Sequence, residues 1–143
     1  AAEPAASGGS GREALLAFTQ QLARQLDGSH TYLYCAPEIP SKKLANALSS
    51  YAAVYAVDPQ DILVLCDKTI TGTGRDGFLL TWNALISSEN GSFDLKDIKE
   101  LEPSTSIWTG KITLQPGNRT FISIAPDKEL TAFCEGMNKL LKG

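Results

Sequence analysis

Three glycines with the spacing of a phosphate-binding loop are the residues most suggestive of chemistry in this sequence. Gly72, Gly74 and Gly77 match the pattern G-x-G-x-x-G. Such a pattern holds a dinucleotide when a strand precedes it and a helix follows, because the helix N-terminus binds the pyrophosphate. An apolar run typical of a strand does precede the glycines, but residues 77–82 (GFLLTW) favour a second strand where the helix is needed. The sequence therefore argues against a dinucleotide site.

The glycine pattern also occurs in the hairpin that covers the phosphates of ATP in protein kinases. That interpretation fails because no V-A-I-K lysine, H-R-D or D-F-G follows and the chain is too short for a kinase. We predict instead that the glycines supply positive φ and a bulge in a wide β-hairpin with a polar tip. As a possible partner- or ligand-binding hairpin, it comprises Lys68, Gly72, Gly74, Arg75, Asp76 and Gly77.

Other residues that could do chemistry are scattered along the chain. Cys35 has the most exposed-looking context of the three cysteines, and the single histidine, His30, is the one base near it in sequence. Cys66 and Cys134 lie in apolar contexts, and no C-x-x-C pair occurs, whereas a zinc site needs about four clustered ligands. We predict no catalytic site, no metal and no cofactor. Buried, reduced thiols would fit a cytoplasmic protein.

Composition indicates one folded domain and excludes several partners. The chain has 143 residues, of which 43% are hydrophobic and 20% charged, with a formal net charge of -3. A general nucleic-acid-binding protein would be basic, so none is expected here. No apolar run approaches the roughly 18 residues of a membrane span, so no transmembrane segment is predicted. A protein partner or self-association is favoured, and a phosphoinositide is disfavoured.

The chain divides into a short leader and one domain. Residues 1–11 are small and rich in Gly, Ser and Pro, so we predict a flexible linker or a cloning remnant, with a single domain over 12–143. Apolar spacing predicts a helix over residues 12–26 and a second one capped by Ser41 and ending near residue 57. The core sheet and its closing helix are predicted over about 60–142.

Within that core, the period of the apolar residues changes to that of strands. About six short antiparallel strands are predicted, with a short turn possible over residues 94–97 and a two-residue hairpin turn of I′ geometry at Asn90-Gly91. Asp127 is predicted to cap a final helix whose apolar stripe runs from Leu130 to Leu141. The fold class predicted is α+β.

The hairpin and the segment upstream of it carry a resemblance to a known family. The motif formed by residues 61–67, 69–77 and 78–81, with the upstream segment 39–47, resembles the bacterial pleckstrin-homology-like (YokE-like) domains. The similarity extends over roughly residues 37–141. It implies a strongly bent antiparallel sheet, nearly a barrel, that a C-terminal helix closes at one end, with two additional N-terminal helices in this chain.

What the resemblance implies for function is binding without catalysis. Eukaryotic domains of this shape bind phosphoinositides through several basic residues on the first hairpin. Here Lys68 and Arg75 are accompanied by Asp67 and Asp76, so a headgroup site lacks the positive charge it needs. We expect a binding or scaffold module that contacts a protein. A regulatory or headgroup-binding domain attached to an upstream module is the alternative, and an enzyme is less favoured.

Overall fold

The computed structural model of the chain describes residues 5–26, 32–107 and 109–142. These residues form helices and antiparallel strands, which confirms the predicted α+β class. In chain order the elements are α1 (Ala5–Leu26), β1 (Leu33–Cys35), α2 (Ser41–Ser49), β2 (Ile62–Asp67), β3 (Gly77–Thr81), β4 (Ala84–Ser87), β5 (Gly91–Asp94), β6 (Glu100–Thr105), β7 (Gly110–Gln115), β8 (Arg119–Ile122) and α3 (Lys128–Lys142). Short 3-10 turns lie at Ala53–Tyr55, Pro59–Asp61 and Leu95–Asp97.

The strands form two antiparallel sheets that do not close into a barrel within the described part of the chain. One sheet has the order β1-β2-β3-β4-β5 and the other the order β6-β7-β8. Each strand from β2 onward pairs with its neighbour in sequence within its sheet. Strand β1 pairs with β2 and extends the first sheet at that edge.

The three central strands of the first sheet are buried on both faces. Every residue of β2, β3 and β4 is buried. Val64 and Phe78 point into a core shared with α1, α3 and the second sheet, whereas Leu65 and Leu79 pack against Ala47 of α2 on the opposite face. A strand buried on both faces needs a continuous apolar sequence in place of an alternating one, which is why β2 reads ILVLC.

Helix α3 joins the two sheets through two polar side chains. Near its start, the Glu129 Oε1 accepts hydrogen bonds from the backbone N–H groups of Tyr32 and Leu33, both at 3.0 Å, beside β1. Near its end, Asn138 bonds both backbone groups of Leu101 in β6, with N–Oδ1 at 2.7 Å and Nδ2–O at 3.0 Å. Asn138 thus takes the place of a neighbouring strand along an otherwise unpaired edge.

Aromatic rings fill the space between these anchors. Phe133 of α3 lies 5.2 Å from Phe78 and 5.8 Å from Phe18 of α1, measured between ring centroids. Phe18 in turn lies against Gly136, where an added Cβ would come within 2.3 Å of the ring. Helices α1 and α3 can approach closely at this point because residue 136 has no side chain.

Helix bounds differ from the sequence-based predictions. Helix α1 begins at Ala5, so the backbone of 5–11 is helical where we expected a flexible linker, and residues 1–4 lie outside the described residues. That residues 1–11 link to another domain stays a prediction. Ser41 is the first helical residue of α2 and provides no side-chain cap, and the helix ends at Ser49. In α3 the capping prediction is confirmed: Leu130 donates to Asp127 Oδ1 at 3.0 Å.

The turn between β4 and β5 also differs from its prediction. Ser87 pairs with Gly91, so the loop holds three residues in place of two. Gly91 has a φ of 86°, but Asn90 is not among the residues with positive φ, as I′ geometry would require. The Ser87 hydroxyl accepts from the backbone N–H groups of Glu89 and Asn90, at 3.1 and 3.3 Å, and this local bonding stabilises the longer loop.

The Asn138 junction predicts a stability effect. Asn138→Ala removes both hydrogen bonds to the buried Leu101 backbone and leaves those groups unpaired, so we expect the free energy of unfolding to fall by about 1–3 kcal/mol. Urea denaturation followed by circular dichroism measures this change. Lys142→Ala, at an exposed position of the same helix, is the control and should change it by less than about 0.5 kcal/mol. Equal values for the two variants would contradict the junction.

Candidate functional site

The glycine motif lies in the loop between β2 and β3 and has the predicted backbone conformation. Gly72, Gly74 and Gly77 have φ values of 75°, 78° and 146°, which confirms a hairpin whose glycines adopt positive φ. The register shift between these two strands occurs at Ile62/Val64, at the far end of the pair from the glycines. The strand pair therefore contains a bulge, but the bulge lies at the opposite end from the glycines, where it was predicted.

Two of the glycines are also required by close backbone contacts. A Cβ on Gly74 would lie 2.6 Å from the carbonyl oxygen of Lys43 in α2, and one on Gly77 would lie 1.8 Å from the carbonyl oxygen of Cys66. Either position would have to move to accept a side chain. The motif therefore seats the hairpin against α2 and β2, which is a structural reason for glycine that needs no phosphate.

Two side chains of α2 form hydrogen bonds to the loop between β2 and β3. Lys43 Nζ lies 2.5 Å from Asp67 Oδ2 and 2.6 Å from the carbonyl oxygen of Gly72. Asn46 Nδ2 donates to the carbonyl oxygen of Thr73 at 2.8 Å. An ammonium group and an amide thus satisfy two backbone carbonyls that face the helix, and these hydrogen bonds hold the loop against α2.

The Lys43–Asp67 pair controls the ionisation of a buried carboxylate. The Asp67 side chain is 4% exposed. Burial by itself would raise the pKa of Asp67, but hydrogen bonds from Lys43 and from Thr69 outweigh it, so the pKa lies below its usual value. The pair therefore stabilises the fold in its ionised form.

The basic residues of the hairpin are occupied by the protein itself. Lys68 Nζ forms an ion pair with Glu89 and donates to the carbonyl oxygen of Ser123 at 2.8 Å. Arg75 donates to Asn46 Oδ1 at 3.2 Å, and Asp76 accepts a hydrogen bond from the Ser88 hydroxyl.

The hairpin exposes one large apolar side chain beside Thr71 and Arg75. Ile70, near its tip, is fully exposed, whereas Lys68 and Arg75 are engaged as described. A partner site on this hairpin stays a prediction, and this geometry offers it an aliphatic contact more readily than a phosphate site.

The three thiols are all buried, as predicted, including Cys35, whose sequence context looks the most exposed of the three. Cys35 is 4% exposed, and burial with the nearby Glu129 raises its pKa to about 11. Burial with Glu135 raises the pKa of Cys134 to about 12, and burial raises that of Cys66 well above the ordinary value. A thiol in this state is a poor nucleophile. His30 lies outside the described residues.

Metal-binding clusters and membrane-spanning helices are both absent from the described residues. Within 5–26, 32–107 and 109–142, no three His, Cys, Asp or Glu side chains come together as a metal site would need. None of the helices in the same ranges has the length and apolar character to cross a bilayer.

A large open depression lies between α1, the end of α3 and the segments that flank β4 and β5. We call it the basic groove; its volume is about 630 Å³. Its apolar floor consists of Leu15, Trp82, Leu95, Ile98, Met137, Leu140 and Leu141. Its charged lining residues are Arg12, Lys96 and Lys99, with no carboxylate among the described residues that line it.

A second depression continues the basic groove along the seam between α1 and α3. It measures about 400 Å³ and shares Ala14 and Leu140 with the basic groove. Small residues such as Ala17 and Gly136 line it, so the two helices leave a shallow trough between them. Together the two depressions form one surface.

Sequence reasoning did not identify this surface. Trp82 and Leu95 follow different strands, and Leu15 and Leu140 belong to helices that are more than 100 positions apart in sequence. The one available signal was that the apolar stripe of α3 continues through Leu140 and Leu141, which is wider than a single contact face needs.

The glycine contacts predict different costs at two neighbouring positions. Gly74→Ala should lower the free energy of unfolding by at least about 1 kcal/mol more than Gly72→Ala. Both substitutions strain a positive φ, but at position 72 the nearest atom is the flexible Lys43 Nζ, at 3.3 Å. Chemical denaturation of the two variants tests this. Equal losses would contradict the close packing of Gly74 on α2.

The Lys43–Asp67 pair predicts a pH dependence. Because the folded-state pKa of Asp67 is depressed, its contribution is complete above its unfolded pKa and is lost as the pH falls through the folded value. Asp67→Asn should therefore lower stability at pH 7 by about 1–3 kcal/mol and flatten the acid limb below about pH 4. Thermal unfolding from pH 2 to pH 7 measures both effects, with Asp61→Asn as control. A limb as steep as that of the unmodified chain would contradict this account.

Comparison with known proteins does not place the chain in a family. No family model matches the sequence, no curated protein matches it, and no solved structure matches it.

Proposed function

We propose that this chain is a non-catalytic protein-binding module and that its partner docks in the basic groove. The observation that carries the proposal is the open apolar floor between α1 and α3, which continues along the helical seam. Trp82, Leu95, Leu140 and Leu141 are half-buried there and form a hydrophobic groove of the kind that binds amphipathic helices.

The shape of this surface favours a helical partner segment. It is bounded by two helices and continues past Ala14 and Leu140 from one depression to the next. An amphipathic helix binds such a trough through apolar residues at i, i+3, i+4 and i+7. Trp82, half-buried at one side of the floor, is a residue of the type that anchors interfaces.

The pleckstrin-homology-like assignment is part of the proposal. It is supported by the strand succession, because β2 to β5 pair in sequence, β6 to β8 pair in sequence, and α3 follows directly. Such domains serve many binding functions, so the fold gives no ligand by itself.

The alternatives have less support. A headgroup site on the hairpin would need Lys68 and Arg75 to leave their protein partners. An enzyme would need a reactive group, and the buried thiols do not supply one. Their burial fits a reducing compartment such as the cytoplasm.

A substitution that fills the groove with a large side chain tests whether partners bind there. A displayed library of random peptides of about 16 residues, long enough for four helical turns, is selected on the unmodified chain. Ala14→Trp places an indole where the two depressions meet and should weaken the selected peptides by at least about tenfold. Fluorescence polarisation measures their affinity, and urea denaturation checks that the variant is folded.

Ala45→Trp is the matched control, since Ala45 is exposed on α2, away from the groove. It should leave affinity within about twofold. Selected peptides that bind Ala14→Trp as tightly as the control would contradict the proposal, as would a library that yields no peptide specific for the chain.

A further inference from the structure

We infer that the segment bound by the basic groove is an acidic amphipathic helix, with carboxylates beside its apolar stripe. This inference rests on the proposed function and specifies the chemistry of the partner. It derives from the sign and availability of the charges around the groove.

The three cations of the groove are available to a partner. Arg12, Lys96 and Lys99 are exposed, and none of them forms an ion pair with a carboxylate among the described residues. Lys43 and Lys68 at the hairpin, by contrast, are both paired. Free cations next to an apolar floor attract an anionic segment, whereas paired cations gain little from one.

One of these cations is held in place by the floor itself. The guanidinium carbon of Arg12 lies 4.9 Å from the centroid of the Trp82 ring. This cation–π contact holds the planar guanidinium at the rim of the groove and leaves its N–H donors for a carboxylate. Because the Arg12 side chain is already ordered, it loses less conformational entropy when the partner binds.

A depression lined by negative charges lies directly beside the groove. A neighbouring depression of about 370 Å³ shares Arg12 and Trp82 with it but is lined by Asp58, Asp61 and Asp94. An acidic helix would be repelled from that side and attracted toward Lys96 and Lys99. The boundary between the two signs therefore fixes where the helix lies as well as how tightly it binds.

The charge of the groove is positive, whereas the net charge of the chain is negative. The formal net charge of the chain is -3, so a long-range attraction for acidic partners is not expected from the total charge. In the adjoining seam Lys139 and Glu135 balance each other among the charged lining residues. Selectivity for carboxylates must then come from Arg12, Lys96 and Lys99.

Two synthetic peptides test the inference. Both are helical peptides of about 16 residues with leucine at i, i+3, i+4 and i+7; one carries glutamate at the flanking positions and the other lysine. The glutamate peptide should bind the unmodified chain at least about tenfold more tightly at low ionic strength, and the preference should shrink as salt is added. Isothermal titration calorimetry measures the affinities.

Charge reversal supplies the matched variants. The double variant Lys96→Glu with Lys99→Glu should lose the preference for the glutamate peptide or reverse it. The control, Lys42→Glu with Lys128→Glu, changes the net charge equally at exposed positions outside the groove and should keep the preference. Near-ultraviolet circular dichroism confirms that both variants fold.

The outcomes separate this inference from the proposed function. Equal affinity for the two peptides, both weakened by Ala14→Trp, would overturn the acidic partner and leave the protein-binding groove in place. Binding of neither peptide, together with salt-sensitive binding of anionic lipid vesicles, would overturn both. Loss of the preference in the control variant would also overturn the inference, since the charge effect would then be non-specific.

Discussion

Helix α3 lies between two sheets that share no backbone ladder in the part of the chain that the structure describes, and it bonds to a strand segment of each. Glu129 holds the chain entering β1, Asn138 holds Leu101 in β6, and the ring of Phe133 fills the core between them. The last turn of this helix follows these contacts in sequence. Leu140 and Leu141 are left half-buried there and form one wall of the basic groove. The contact that completes the core thus also creates the candidate site.

The hairpin and the groove make opposite use of positive charge. In the hairpin, Lys43 and Lys68 stabilise a loop whose glycines pack against the backbone of α2 and β2. In the groove, Lys96 and Lys99 are exposed beside apolar side chains and pair with no described carboxylate. A paired charge contributes to the stability of the fold, and an unpaired one next to an apolar floor is available for recognition. Function is therefore expected at the groove more than at the glycine motif.

Much of the fold could be predicted from the sequence because its determinants are local. The apolar run of β2, the Asp127 cap and the glycines with positive φ all act within a few residues. Local context misleads where a distant contact decides the outcome. Cys35 looks the most exposed of the three thiols beside Pro37, but its strand joins the sheet edge and the thiol is buried, as predicted for all three. The groove has a single local signal, the wide apolar stripe of α3, and the rest of it is not local, since Arg12 meets Trp82 only after α1 packs across the end of α3.

The central claim is that recognition occurs at the groove and that the glycine hairpin is structural. Amide and indole chemical-shift mapping by NMR, with the glutamate peptide added to the isotope-labelled chain, tests this most directly. The account predicts that the largest shifts fall on the indole of Trp82 and on the amides of Ala14, Lys96 and Leu140, with the amides of 68–77 unchanged. Shifts concentrated on 68–77, with Trp82 unaffected, would contradict it.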